Sequence, residues 1–486
     1  MLKVSIFSIA GLLLAPLIWG RVIYGEDQRV EVAEASPLQQ TVAGSAATLI
    51  HKGDLRSDES RPGYVQVSPR TLRGWLESQF GDKATGAAAR RAKLFSPKVL
   101  EATRSGVSFC DGERFVDQPN PGTCSGFLIA PDLIVTAGHC VEVPEFCAEY
   151  RWVFGFVAGA VGAAPLRDGD VYRCKRVVSN LLSMPLGLDY AIVQLDRRVA
   201  DRPPVTLAED SRLAEGDSLF VVGSPSGLPL KVAGGAAVRK TSHPFYFSAN
   251  LDTFQGNSGS GVYDAFSGEA LGILVRGEED YILNSDRNCV EAKRCANEAC
   301  RGEDVTRVEA VPEIGARPAF VSAAEAGDVA TLEKLLRLNL WIDFYTKDGQ
   351  SAFLKAVRAG QLRAAELLLR NGADPLLRDA GGNTAFHLAG NAAVVGLLNS
   401  AGLLVNAPND AGETPLQVAA RRGDLALVRA LIAAGADRSV RDENGETVLF
   451  VFARKSDATA VRELIALGVD PSIRNKNFES VFDLAN

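Results

Sequence analysis

Residues 254–261 read Phe-Gln-Gly-Asn-Ser-Gly-Ser-Gly, and residues 134–140 read Ile-Val-Thr-Ala-Gly-His-Cys. Between them, Leu188-Asp189-Tyr190-Ala191-Ile192-Val193-Gln194-Leu195 sets an acid at the opening of an apolar strand. A serine hydroxyl is a weak nucleophile until an adjacent base takes its proton, and imidazole suits that task near neutral pH. The imidazolium that forms needs a buried carboxylate to orient and stabilise it. Glycines beside a nucleophile let backbone N–H groups turn toward a developing oxyanion. His139, Asp189 and Ser258 are therefore the candidate catalytic residues, with Gly256 and Ser258 as oxyanion donors. The chain holds only three other histidines, His51, His243 and His387. His51 lies in weakly patterned sequence and His243 precedes Pro244, so both read as surface or turn residues.

Working outward, short β-rich runs recur from about 105 to 310: Gly126–Ile129, Leu133–Thr136, Ala191–Leu195, Ser218–Val222 and Gly272–Val275. Gly, Pro and Asp break them at the spacing of an all-β barrel or sandwich. The order His139, Asp189, Ser258 is that of chymotrypsin-type proteases, not of subtilisins or α/β-hydrolases. The motifs T-A-G-H-C, D-Y-A-I-V and G-N-S-G-S resemble that superfamily closely, and Asn257 before the serine resembles its glutamyl-endopeptidase (V8-like) branch. The resemblance implies a double β-barrel with its site in the cleft between the barrels, a serine endopeptidase activity, protein or peptide substrates and no cofactor or metal. It also implies a disulfide between Cys124 and Cys140. Trypsin-type activation through an aspartate before the nucleophile is not expected, because that position is Asn257.

The same resemblance assigns the primary substrate pocket. The position six before the nucleophile, Asp252, would form its floor and favour cleavage after Lys or Arg. Thr253, with a histidine on the strand 272–275, would favour cleavage after Glu, but that place holds Leu274. Arg276 follows closely, able to neutralise Asp252 or to attract an acidic side chain. The three readings stay open: basic specificity, acidic specificity, or an Asp252 engaged internally.

From about 317 the texture turns to Ala/Leu-rich helical pairs. Gly349, Gly382, Gly412 and Gly445 are separated by 33, 30 and 33 residues, and Gly372, Gly402, Gly435 and Gly468 by 30, 33 and 33. The closers Asn371-Gly-Ala-Asp374, Ala434-Gly-Ala-Asp437 and Leu467-Gly-Val-Asp470 fall in register. With Thr414-Pro-Leu-Gln417 and Thr384-Ala-Phe-His387, this resembles the ankyrin repeat. Phe320–Asp343 reads as a capping repeat, and the repeat from Gly382 is three residues short within its helices. Phe478–Asn486 reads as the start of another first helix. By resemblance, His387 bonds backbone in its own turn, and the repeats offer a concave face to a protein partner.

Met1-Leu2-Lys3 followed by the apolar run Val4–Gly20 is the pattern of a secretory signal, or of an uncleaved anchor, over 1–24. Residues 25–104, rich in Ala, Ser, Gln and Arg, read as a pro-region or linker with one amphipathic stretch at Thr71–Phe80. All eight cysteines lie between Cys110 and Cys300. An even number in one segment of an exported chain reads as a disulfide framework. Apart from Cys124 with Cys140 the pairs are open, Cys147 with Cys174 being one option. No C-x-x-C or C-x-x-H pair occurs, which disfavours a zinc cluster.

The expected domains are thus 1–24, 25–104, a protease at 105–312 and ankyrin repeats at 317–486. The 486 residues carry 52 basic and 59 acidic side chains, a net charge of −7, which disfavours nucleic acid as a partner. The expected location is secreted or periplasmic, with membrane contact only if the leader stays uncut. The rival to an endopeptidase is a latent protease-fold scaffold acting through its repeats.

Overall fold

The computed structural model describes residues 23–78, 95–159, 162–183, 185–208, 212–296, 300–338, 342–344, 346 and 349–484. The apolar run expected as an export signal lies outside the described residues. Among those described, no helix is long and apolar enough to cross a membrane. The chain divides into two compact units, one up to Ala310 and one from Val311.

In the first unit, Ala46–His51, Gly122–Ala130, Leu133–Thr136, Tyr150–Phe154, Val171–Ser183 and Leu188–Leu195 close into a six-stranded antiparallel barrel. A second six-stranded barrel is built from Ser218–Gly223, Gly261–Asp264, Ala270–Arg276, Glu303–Arg307, Tyr246–Ala249 and Lys231–Lys240, closed by pairing of the first strand with the last. This is the chymotrypsin-like double barrel. All five of the short β-rich runs lie inside its strands. Closure leaves no unpaired edge, and the strands are buried as near-continuous apolar runs: Ile192, Val193, Phe127, Leu128, Val221 and Val262 are all at most 3 % exposed.

The stretch 25–104 is not a separate pro-region. Ala46–His51 is a member of the first barrel, paired on one side with Gly122–Phe127 and on the other with Tyr150–Phe154. Arg29–Glu31 pairs with Lys231–Ala233 of the second barrel. The amphipathic stretch forms the helix Leu72–Glu77, whose Leu72, Trp75 and Leu76 join Phe95, Val99, Phe109, Phe254 and Tyr281 in one buried cluster. The physical reason is burial: a six-stranded barrel needs that sixth strand, and its partners lie more than seventy residues away along the chain.

Four disulfides tie this unit: Cys110–Cys289, Cys124–Cys140, Cys147–Cys174 and Cys295–Cys300. The first of them encloses 179 residues of sequence separation and links the expected pro-region boundary to the far end of the unit.

The second unit is a stack of helical pairs, Arg317–Ala326 with Val329–Leu336, Ala352–Arg358 with Leu362–Arg370, Ala385–Leu388 with Ala392–Ser400, Pro415–Arg422 with Leu425–Ala433, and Val448–Arg454 with Ala458–Ala466. Their inward apolar faces form a single continuous core. The missing three residues fall in the first helix of the third pair, which keeps only four residues. Gly390 closes that gap by donating its N–H to Val357 O of the preceding repeat, at 3.0 Å. His387 accepts from Thr384 N at 3.1 Å in its own turn, as expected, and its Nε2 also meets Glu413 O of the next repeat at 2.9 Å. Burial holds its pKa below the ordinary value. The helix expected from Phe478 does not form among the described residues, which make bends and turns up to Leu484.

Candidate active site

The strand Leu133–Thr136 ends in a short helical turn, Gly138–Cys140, that carries His139. The neighbouring strand Leu188–Leu195 pairs with it in register, Ala191 opposite Thr136, and so brings Asp189 to the same end of the barrel. Asp189 is fully buried. Its Oδ2 lies 2.8 Å from His139 Nδ1 and its Oδ1 accepts the His139 backbone N–H at 3.1 Å. Thr306 Oγ1 of the second barrel donates to Asp189 O at 3.3 Å, tying the two barrels at this point. With Nδ1 on the carboxylate, Nε2 is the imidazole nitrogen that can exchange a proton with a hydroxyl.

Ser258 sits in the turn between Phe254 and the strand Gly261–Asp264. Its carbonyl accepts from Ser125 N at 2.8 Å, in the first barrel. Gly259, next to it, packs so closely on the His139-bearing strand that a Cβ there would lie 2.2 Å from Thr136 Oγ1 and 2.9 Å from Ala137 N. The serine turn is therefore wedged against the residues leading into His139. Cys124–Cys140 fastens the histidine turn to the neighbouring strand.

One peptide plane sets the direction of the Gly256 N–H. Gln255 O accepts from Ser226 N at 2.6 Å, and a trans peptide points its N–H opposite to its carbonyl. The Gly256 N–H thus faces away from the turn at Ser226. Gly256 has φ +100°, and a Cβ on it would lie 2.5 Å from Ser224 O, so only glycine fits. Ser125 Oγ donates to Gly256 O at 2.8 Å, and Asp280, buried, accepts Gln255 N at 2.9 Å. Ser125 and Asp280 are supports that sequence reading missed. A serine inside an apolar strand and one acid among several in a loop carry no local signal.

Asp252 is the chief correction. Its carboxylate does not face a pocket: Oδ1 accepts Tyr24 N at 2.6 Å and Oδ2 accepts Gln28 N at 2.8 Å, and the residue is 3 % exposed. Burial pushes its pKa up to about 6, against the two N–H donors, which lower it. Nor does Arg276 pair with it. The Arg276 guanidinium binds Asp304 Oδ2 at 3.2 Å and Gly187 O at 2.8 Å. Thr253 Oγ1 donates to the buried Glu303 Oε2 at 3.0 Å, and Leu274 is fully buried, its backbone bonded to Gly259 and Ser260. Asp252 is thus engaged internally, by two backbone N–H groups and not by Arg276.

The brace that Asp252 holds is extensive. Arg29, 2 % exposed, forms a two-pronged pair with Asp27 at 2.8 and 2.7 Å and stacks its guanidinium 4.2 Å from the Phe254 ring centroid. Lys231 pairs with Glu31 at 3.0 Å, and burial pulls its pKa down to about 8. Residues 23–31 thus prop the segment that leads to Ser258.

This architecture is a chymotrypsin-like double barrel followed by ankyrin repeats. Residues 124–273 match the trypsin-like peptidase domain, residues 348–380 the ankyrin repeat, and residues 389–475 a triple ankyrin repeat. Glutamyl endopeptidase of Bacillus licheniformis is 25% identical over 158 residues, covering 30% of this chain and 46% of that protein. Proproteinase E of Bos taurus is 35% identical over 91 residues, covering 18% of this chain and 34% of that protein. The chain thus spans less than half the length of these relatives. The predatory endopeptidase Bd0816 of Bdellovibrio bacteriovorus, solved with the immunity protein Bd3460, is 28% identical, with a TM-score of 0.30 over 34% of this chain and 90% of that one.

Proposed function

We propose that this chain is an exported serine endopeptidase in which Ser258 attacks the scissile carbonyl. His139 takes the Ser258 proton through Nε2 and returns it to the leaving amine, while Asp189 holds the imidazole by Nδ1 and stabilises its protonated form. The N–H groups of Gly256 and Ser258 receive the oxyanion of the tetrahedral intermediate. Water then enters, His139 activates it, and the acyl-enzyme is hydrolysed. The observation that carries this reading is the 2.8 Å contact from His139 Nδ1 to a carboxylate with no solvent exposure, beside the wedged serine turn. The four disulfides support an oxidising compartment, secreted or periplasmic. The ankyrin unit recruits or regulates a protein partner through its concave face.

Covalent labelling by a fluorophosphonate tests the chemistry without knowledge of the substrate. The adduct is expected on Ser258, at a rate greatly reduced in His139→Ala. Absence of an adduct on the folded chain, or one that maps elsewhere, makes the protein a scaffold of protease fold.

A further inference from the structure

A cavity of about 270 Å³ opens on the second barrel, and none of His139, Asp189 and Ser258 lines it. Strand pairing builds its floor. Lys240 stands opposite Ser248, and Ser248 opposite Asp304, so the three form one row across neighbouring strands. Phe247 and Ala249, on either side of Ser248, belong to the buried core of the barrel, which turns Ser248 and its row to the outer face. Arg276 continues the row, opposite Asp304.

The walls carry an excess of positive charge. Lys240 is exposed and meets no partner among the described residues. Arg301 donates to Asp304 Oδ2 at 2.5 Å and Arg276 to the same oxygen at 3.2 Å, so two guanidiniums offset the Asp304 carboxylate. Glu278 accepts Arg301 N at 3.1 Å and is itself paired with Lys293 at 3.1 Å. His243 stacks on Tyr246 with ring centroids 4.0 Å apart. Its Nδ1 accepts Phe245 N at 3.3 Å, which puts the proton of the neutral ring on Nε2 as a donor.

Ser248 is a second and independent pointer to a ligand. It lines the cavity, is 7 % exposed, and its Oγ has no hydrogen-bond partner among the described residues. A buried hydroxyl left in that state is costly and uncommon in folded proteins. The donors come from three separate segments, Lys240 and His243, then Ser248, then Arg301. A planar carboxylate is best matched by one guanidinium fork, and here Arg276 and Arg301 already turn to Asp304. Donors spread over three segments suit a tetrahedral oxyanion instead, and the small volume suits a group of that size.

We infer that this cavity is a binding site for a phosphate-type oxyanion, held by Lys240, the Ser248 hydroxyl and Arg301. It is separate from the catalytic centre and does not depend on the endopeptidase reading.

The test is isothermal titration of the full chain with inorganic phosphate, the ionic strength being held constant with sodium chloride. One phosphate per chain is expected, and the unfolding temperature should rise with phosphate concentration. Lys240→Gln, at an exposed position, should weaken binding about tenfold and leave the unfolding transition without phosphate in place. Ser248→Ala is the second variant. It should also weaken binding, yet unfold no earlier than the parent, because it removes an unpartnered buried hydroxyl. Phosphoserine as a second probe separates two sources of the same chemistry: tighter binding than phosphate points to a phosphorylated ligand, equal or weaker binding to the free ion. Absence of binding at millimolar phosphate overturns the inference, as does binding that survives both substitutions. Succinate binding more tightly than phosphate would overturn the tetrahedral assignment.

Discussion

The two units of this chain are held by opposite kinds of contact. In the protease unit the decisive bonds are long-range: Tyr24 to Asp252 spans 228 residues, Lys231 to Glu31 spans 200, and Cys110 to Cys289 spans 179. In the ankyrin unit they join neighbouring repeats: Asn391 to Gly360 and Asp437 to Asn406 each span 31 residues, and Arg438 to Leu467 spans 29. A closed barrel fails as a whole when one strand is lost, whereas a solenoid loses stability in increments of a repeat and its interfaces. The same difference decides what sequence can show.

The strongest challenge to that contrast is truncation. A chain beginning at Arg104 lacks Ala46–His51, Arg29–Glu31 and the buried Leu72, Trp75 and Leu76, each large apolar side chain contributing about 1.5–3 kcal/mol on burial. The protease unit is expected not to fold, read as loss of fluorophosphonate labelling and of the cooperative unfolding transition. A truncated chain that labels faster than the parent would revive the pro-region reading. Removing the last helical pair, Val448–Arg454 with Ala458–Ala466, should instead lower the stability of the ankyrin unit and leave labelling unchanged.

Next in size is Asp189→Asn. The amide leaves the fold intact but favours the wrong tautomer of His139, and kcat is expected to drop by about 10⁴-fold. Circular dichroism and unfolding should show little change. An unchanged kcat would mean that Asp189 does not orient the histidine.

Smaller again is the pH response of the N-terminal brace. Asp252 has a folded pKa raised to about 6, so between about 4 and 6 the folded state binds more protons than the unfolded one. Its contribution to stability therefore falls as pH rises through that window, by an amount on the order of 3 kcal/mol at full effect. Asp252→Asn is expected to flatten this slope and, having one acceptor oxygen for the N–H groups of Tyr24 and Gln28, to cost about 1–3 kcal/mol at pH 5 and below, where Asp252 itself is largely protonated. Denaturant titrations at several pH values measure both. A slope identical to that of the parent would show that Asp252 is not the titrating group.

The smallest effect belongs to the repeats. Asp424 caps the helix Leu425–Ala433 by accepting Leu427 N at 2.9 Å, and Asp424→Ala should cost about 1 kcal/mol in the ankyrin unit alone. A matching loss in the protease unit would break the separation drawn above.

The ankyrin unit was readable because each repeat states its own structure locally: glycines at turn positions, Thr or Asp caps, and apolar faces at helical spacing. Even its irregularity was visible as three missing residues, although only the structure shows that the first helix absorbs them. The triad motifs were readable for a similar reason, since each is a short local pattern. What escaped was everything that depends on distant partners. Ala46-Ala-Thr-Leu-Ile-His51 is a brief buried run without alternation, and nothing nearby announces that it completes a barrel. Arg29 looks like a surface arginine until Asp27 and Phe254 surround it. Asp252 occupies the position that resemblance makes a pocket floor, yet two backbone N–H groups from residues 24 and 28 claim its carboxylate. Glu303 stands in a Gly-Glu-Asp stretch with no local signal, yet it is fully buried and accepts the Thr253 hydroxyl.

His139, Asp189 and Ser258 are proposed to form a working catalytic centre on a fold that includes residues 23–78 and 95–104. Hydrolysis of a diverse peptide mixture by the full chain, compared with Ser258→Ala, tests it most directly. Defined cleavages are expected that vanish in the variant while its unfolding transition stays in place. Cleavage that survives the substitution, or none from a folded parent chain, would contradict it.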